Sequence, residues 1–161
     1  FILLYATFGK FRQAGLVLSI VPLALFGGML ALNVRGMTLN VSSAVGFIAM
    51  FGLSIQNGII MVSQINGLRI KGMELRKSVI EGARQRFRPI LMTSVTTILG
   101  LFPASLATGI GSDVQRPLAT VIVYGLMFST LVSMFLLPAF YYLVENNVLN
   151  KKKNDEKEYT L

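Results

Sequence analysis

The sequence contains no cysteine and no histidine. That excludes disulfides, thiolate catalysis, Ser-His-Asp triads and metal sites built on thiolate or imidazole. Charge is also scarce: 14% of the 161 residues are Asp, Glu, Lys or Arg, against about a quarter in a water-soluble domain. What fills the space is apolar, 53% of the chain, with a mean hydropathy of +0.65. Such a composition excludes intrinsic disorder over the first 145 residues. It is too oily for a soluble domain and has room for four or five membrane-spanning helices.

The net charge of +8 does not mark a nucleic-acid partner. Lys and Arg stand in short clusters between long uncharged runs, the pattern of a membrane protein with one positive side. A spanning helix needs about 20 mostly apolar residues. Four windows qualify: 14–33, 41–65, 89–108 and 117–144. Pro89 and Pro117 suit the first turn of a helix, where no backbone N–H is needed. Residues 1–8 are apolar but too short to span, and read as the end of a transmembrane helix that begins upstream. The expected fold is therefore an all-α integral membrane bundle. It has four full transmembrane helices within 9–145, plus the partial helix at the N-terminus.

The loops set the orientation. One side receives Lys10, Arg12, Arg69, Lys71, Arg76, Lys77, Arg84, Arg86, Arg88, Lys151, Lys152, Lys153 and Lys157; the other receives Arg35 and Arg116. Thirteen basic residues against two put the first side, and the C-terminus, in the cytoplasm. Tyr141 and Tyr142 then fall where an interfacial aromatic belt is expected. Between the second and third windows, Leu75, Val79, Ala83 and Phe87 recur every four residues, with charged residues on the other faces. The spacing predicts an amphipathic helix over about 72–88, lying along the inner membrane surface. The tail, 146–161, is polar and mixed in charge and is expected to be disordered.

Ionisable groups at membrane depth usually mark function, and the centres of all four windows have none. No catalytic pair of a membrane-embedded protease or acyl transferase falls within a window. Neutral polar residues do occur at depth. The second window carries Ser54, Gln56 and Asn57, with Gly46, Gly52 and Gly58 allowing close helix approach. The third carries Thr93, Ser94, Thr96 and Thr97. These residues read either as interhelical hydrogen bonding or as a polar seam beside a proton path. Gln56 and Asn57 are adjacent and point in different directions, so at least one faces protein. The eight methionines are dispersed, which suits gap filling and lipid contact rather than a soft-metal site. In the loop 109–117, Asp113 and Arg116 are placed to pair with each other or with an external partner.

Three strings carry a family resemblance. They are Val45-Gly-Phe-Ile-Ala-Met-Phe-Gly-Leu-Ser-Ile-Gln-Asn-Gly58, Arg86-Phe-Arg-Pro-Ile-Leu-Met-Thr93 and Ala107-Thr-Gly-Ile-Gly-Ser-Asp-Val-Gln-Arg-Pro-Leu-Ala119. In this order they resemble the last four transmembrane helices of resistance-nodulation-division (RND) efflux pumps. The third string is similar to the heavy-metal branch, nearer its divalent-cation exporters than its copper and silver exporters.

The resemblance implies an inner-membrane, homotrimeric, proton-driven antiporter embedded in lipid. It implies a periplasmic adaptor (membrane fusion) protein and an outer-membrane channel as partners. Divalent metal ions such as cobalt, zinc or cadmium would be the cargo, with no cofactor. A multidrug or lipid exporter of the same superfamily is the alternative. Large periplasmic domains and the acidic proton carriers would lie upstream. At the position of Gln56, drug-exporting relatives have a lysine that pairs with those acids. At the position of Ile90, copper exporters have a lysine. Neither Gln56 nor Ile90 can change charge. The resemblance leaves Gln56, Asn57 and Thr93 as neutral hydrogen-bonding neighbours of a relay centred on another helix.

Overall fold

In a computed structural model, residues 2–9 and 11–158 are described, and they are helical apart from short connections. The order is α1 (Ile2–Phe8), α2 (Phe11–Val34), α3 (Val41–Ile70), α4 (Leu75–Ser105) and α5 (Ser112–Glu158). Four segments are long and apolar enough to cross a membrane: Phe11–Val34, Val41–Ile70, Leu75–Ser105 and Ser112–Val148. All four windows read from the sequence lie within or across these helices.

Glycines end the helices where the chain must reverse. Gly36, at φ +62°, follows α2. Its N–H bonds to the Asn33 carbonyl at 3.0 Å, and the Met37 N–H reaches back to the Leu32 carbonyl at 3.0 Å. This is a Schellman closure, in which a left-handed residue lets the last carbonyls find donors. Gly72, at φ +86°, ends α3 in the same way. The start of α3 is a reciprocal capping box. The Asn40 side chain accepts from the Ser43 N–H at 2.9 Å, and the Ser43 Oγ accepts from the Asn40 N–H at 2.9 Å.

The bundle is organised around α5, which packs on α2, α3 and α4. Small residues set the close crossings. A Cβ at Gly27 would lie 2.6 Å from Phe128 Cβ, and one at Gly58 would lie 2.9 Å from Val17 Cγ1. At Gly46 the neighbour is the Leu118 carbonyl oxygen of α5, at 3.0 Å. Gly46 and Gly58 thus admit neighbouring helices as their type suggests. Gly52 does not: nothing lies within 4 Å of it.

Three boundaries differ from the sequence reading. The stretch 72–88 is not a separate surface helix, because α4 runs unbroken from Leu75 to Ser105 with Pro89 in its interior. Val79 is buried and Gly82 packs on Ile65, so this part of α4 stays against α3 instead of turning onto the membrane surface. At about 1.5 Å per residue such a helix exceeds the ~30 Å hydrocarbon core. Pro117 also sits inside a helix, since α5 begins at Ser112.

At the other end, helical backbone continues through Glu158 instead of giving way to irregular chain after residue 145. Residues 159–161 lie outside the described residues.

Tyr141 is not part of a lipid-facing belt. It is fully buried, and its hydroxyl donates to Asn66 Oδ1 at 2.6 Å. Asn66 also exchanges two hydrogen bonds with Gln13, at 2.8 and 3.0 Å. Arg69 pairs with Glu145 one turn away from each partner of that contact. A buried phenol and a buried amide, Tyr141 and Gln13, need partners, and the half-buried Asn66 supplies both across α2, α3 and α5.

Candidate functional site

A cavity of about 270 Å³ opens between α3 and α4, with Leu126 of α5 also lining it. The α3 wall is Leu53, Gln56, Asn57 and Ile60, one stripe at helical spacing. The α4 wall runs from Arg86 through Pro89, Ile90, Thr93 and Ser94 to Thr97. The three residues singled out in the sequence, Gln56, Asn57 and Thr93, therefore line one space. Asn57 is buried at 8% exposure, whereas Gln56 and Thr93 are open to the outside of the bundle.

The hydrogen-bonding capacity of this space is unequal. Thr93 Oγ1 donates within its own helix, to the carbonyls of Pro89 at 3.1 Å and Ile90 at 3.0 Å. With its proton engaged there, the oxygen presents lone pairs to the cavity and acts as an acceptor. Neither side-chain amide, Gln56 or Asn57, is bonded to another described residue, so both keep donors and an acceptor free. Pro89 removes one backbone N–H from α4, which the helix interior normally uses.

Two hydroxyl pairs hold the walls. Ser54 of α3 and Ser129 of α5 are 2.7 Å apart between oxygens, and Ser94 of α4 and Thr130 of α5 are 2.8 Å apart. Ser129 and Thr130 are adjacent in sequence, so a single turn of α5 grips both walls. Ser54 lies one turn from Asn57, and Ser94 adjoins Thr93.

Arg86 also lines the cavity; the sequence places it among the basic loop charges and at the head of the Arg86–Thr93 string, without a role in the site. Its Nε and Nη2 donate to Gln64 Oε1 at 3.2 and 2.8 Å. Gln64 in turn donates to Gln85 at 2.6 Å, and Gln85 to Glu81 at 2.9 Å. The signal was present as the spacing Arg86, Ile90, Thr93 and Thr97, which puts all four on one helical stripe. Asp113 and Arg116 border a common cavity at the far end of the bundle, together with Gly36 and Asn40. Among the described residues they form no ion pair with each other. That cavity also brings the Arg35 and Arg116 loops to one end, opposite Arg69 and Arg86.

The model of the AcrB/AcrD/AcrF family matches residues 1–145. The chain belongs to that family. Its members are RND transporters, so the resemblance carried by the three strings is borne out. Among curated proteins, it is 45% identical over 143 residues to the cobalt-zinc-cadmium resistance protein CzcA of Cupriavidus metallidurans, covering 89% of this chain and 14% of that protein. It is 46% identical over 136 residues to the nickel and cobalt resistance protein CnrA of the same organism, covering 84% of this chain and 13% of that protein.

A crystal structure of a heavy metal efflux pump superposes with a TM-score of 0.82 at 53% identity, covering 90% of this chain and 14% of that one. These likenesses bear out the heavy-metal branch of the RND family. The chain spans about one-seventh of the length of these relatives. Four apolar helices in this family make it a multi-pass inner-membrane segment.

Proposed function

We propose that this chain is the membrane segment of a proton-driven permease that exports divalent heavy-metal cations. The observation that carries the reading is the α3–α4 cavity, where Asn57 and Thr93 face one space and differ in hydrogen-bonding character. The likeness to cation-resistance proteins supplies the cargo class.

The working element is an acidic side chain from a helix outside this segment, seated against the open side of the cavity. When ionised it accepts hydrogen bonds from the Asn57 and Gln56 amides and is attracted by Arg86. When protonated it gains a donor and loses its charge. The Thr93 oxygen, an acceptor, then becomes the better partner. Proton arrival thus moves a hydrogen bond from the α3 wall to the α4 wall. That biases the two helices between arrangements that bind the acid differently. Gln56, Asn57 and Thr93 act as neutral neighbours of the titrating group.

The whole transporter is read as a homotrimer in the lipid of the inner membrane. It works with a periplasmic adaptor protein and an outer-membrane channel, and its C-terminus lies in the cytoplasm. A multidrug or lipid exporter is the competing reading. Deletion of the gene, tested against cobalt, zinc, cadmium and nickel salts and a panel of drugs, separates them. The proposal expects sensitivity to the metals and unchanged drug tolerance; the reverse pattern overturns it.

A further inference from the structure

A second cavity, about 300 Å³, lies in the crevice between α2 and α5. Its walls are apolar: Phe26, Leu30 and Ala31 from α2, and Met127, Phe128 and Leu131 from α5. Leu30 and Met127 are more than half exposed, at 52% and 54%. At the mouth the chemistry changes. Arg35, just past the end of α2, borders the same crevice. It stands two turns beyond Gly27, the residue that meets Phe128.

Arg35 is held there by backbone geometry. Its own N–H bonds to the Ala31 carbonyl at 3.1 Å, and the Gly36 closure fixes the turn that follows. Yet its Nη1 is buried without a hydrogen-bond partner, and no carboxylate among the described residues pairs with it. A guanidinium N–H shielded from water lacks the acceptor it needs.

We propose that this crevice binds a glycerophospholipid, with one acyl chain along the α2–α5 walls and the phosphate diester on Arg35. The lipid supplies what the chain lacks at each level. Its methylenes cover the exposed apolar walls, and its phosphate supplies the counter-charge that no described carboxylate gives Arg35, in the forked geometry that guanidinium and phosphate share. The headgroup lies on the Arg35 side of the membrane. The inference rests on the four spans and is independent of the transport reading. Loss of lipid binding leaves the metal-export proposal standing, and a drug-export outcome leaves the lipid site standing.

The test is native mass spectrometry of the full-length protein in detergent, titrated with dioleoylphosphatidylglycerol. Dioleoylglycerol, which has chains and no phosphate, and inorganic phosphate, which has no chains, are the comparison probes. The proposal expects retention of the phospholipid and not of either comparison probe. Arg35→Gln weakens retention about tenfold or more, and Arg35→Lys recovers part of it. Leu30→Trp, which fills an already exposed position, displaces the chain without lowering the melting temperature.

Equal retention by the parent, Arg35→Gln and Leu30→Trp overturns the proposal. So does retention of inorganic phosphate as tight as that of the lipid, which marks a plain anion site. A disulfide between Leu30→Cys and an engineered cysteine on another helix of the same protein, formed in full yield, shows the crevice filled by protein and overturns it too.

Discussion

Ser94 Oγ and Thr130 Oγ1 stand 2.8 Å apart, both buried between α4 and α5. Thr130 also donates to the Leu126 carbonyl at 2.7 Å, so its oxygen is free to accept from Ser94. This pair is a buried polar tie between α4 and α5. It sits beside Thr93, whose position sets the width of the cavity. Removing it is expected to loosen α4. Ser94→Ala and Thr130→Val should each lower stability modestly, with a coupling energy of about 0.6 kcal/mol, typical of hydrogen bonds between membrane helices. A double-mutant cycle by reversible unfolding in mixed micelles measures it. A coupling indistinguishable from zero shows that the Ser94–Thr130 contact does not hold α4 on α5.

The glycines make opposite predictions according to what faces them. A Cβ at Gly27 lies 2.6 Å from Phe128 Cβ, an atom that cannot move without backbone. Gly27→Ala should therefore push α2 from α5 and destabilise by about 1–3 kcal/mol. Gly52 faces open space. Gly52→Ala should be neutral or stabilising by up to about 1 kcal/mol, because alanine is the better helix former. Melting temperatures of the two variants in detergent should fall on opposite sides of the parent or show only Gly27→Ala displaced.

Asn66 is the hub of the polar contact that joins Gln13, Tyr141 and the Arg69–Glu145 end of the bundle. Asn66→Ala strands Gln13 and Tyr141, which are 2% and 0% exposed. Leaving buried polar groups unpaired costs about 1–3 kcal/mol. Asn66→Asp keeps the acceptor for Tyr141 but loses the donor to Gln13, and should fall between. Unfolding free energies of the three proteins, ranked as parent, Asp, Ala, check this.

Sidedness follows from the charge bias and is testable without function. Cysteines introduced at Arg35 and at Arg76 should react with a membrane-impermeant maleimide from opposite faces of oriented vesicles. Labelling of both from one face contradicts the threading.

Much of this architecture is legible in the sequence, for one physical reason. Long uncharged runs can only be satisfied by helices in lipid, and four of them are unmistakable. The ends are harder. The cluster from Arg84 to Arg88 ends the uncharged run but not the helix. Backbone hydrogen bonds continue through it, and Gly82 keeps α4 on Ile65. Periodicity at Leu75, Val79 and Ala83 reported a buried face correctly, but buried against α3 instead of lipid.

The site was half readable. Polar residues at depth drew attention to Gln56, Asn57 and Thr93. That Thr93 turns its proton into its own helix is set by a rotamer that no spacing encodes, and so is the reach of Arg86 into the cavity. Tyr141 shows the opposite limit. An aromatic near a span end looks interfacial in sequence, and only packing reveals that Asn66 has drawn it inside.

The central claim is that Asn57 and Thr93 transmit the protonation of a neighbouring acid. The most direct measurement is metal-driven proton flux through the full-length protein in liposomes, comparing the parent with Asn57→Ala, Thr93→Ala and Thr93→Ser. The account predicts that both alanine variants, at parental expression and melting temperature, lose at least about tenfold in coupled flux, and that Thr93→Ser, which keeps the oxygen, retains most of it. Parental flux from the Asn57→Ala, Thr93→Ala double variant would contradict it.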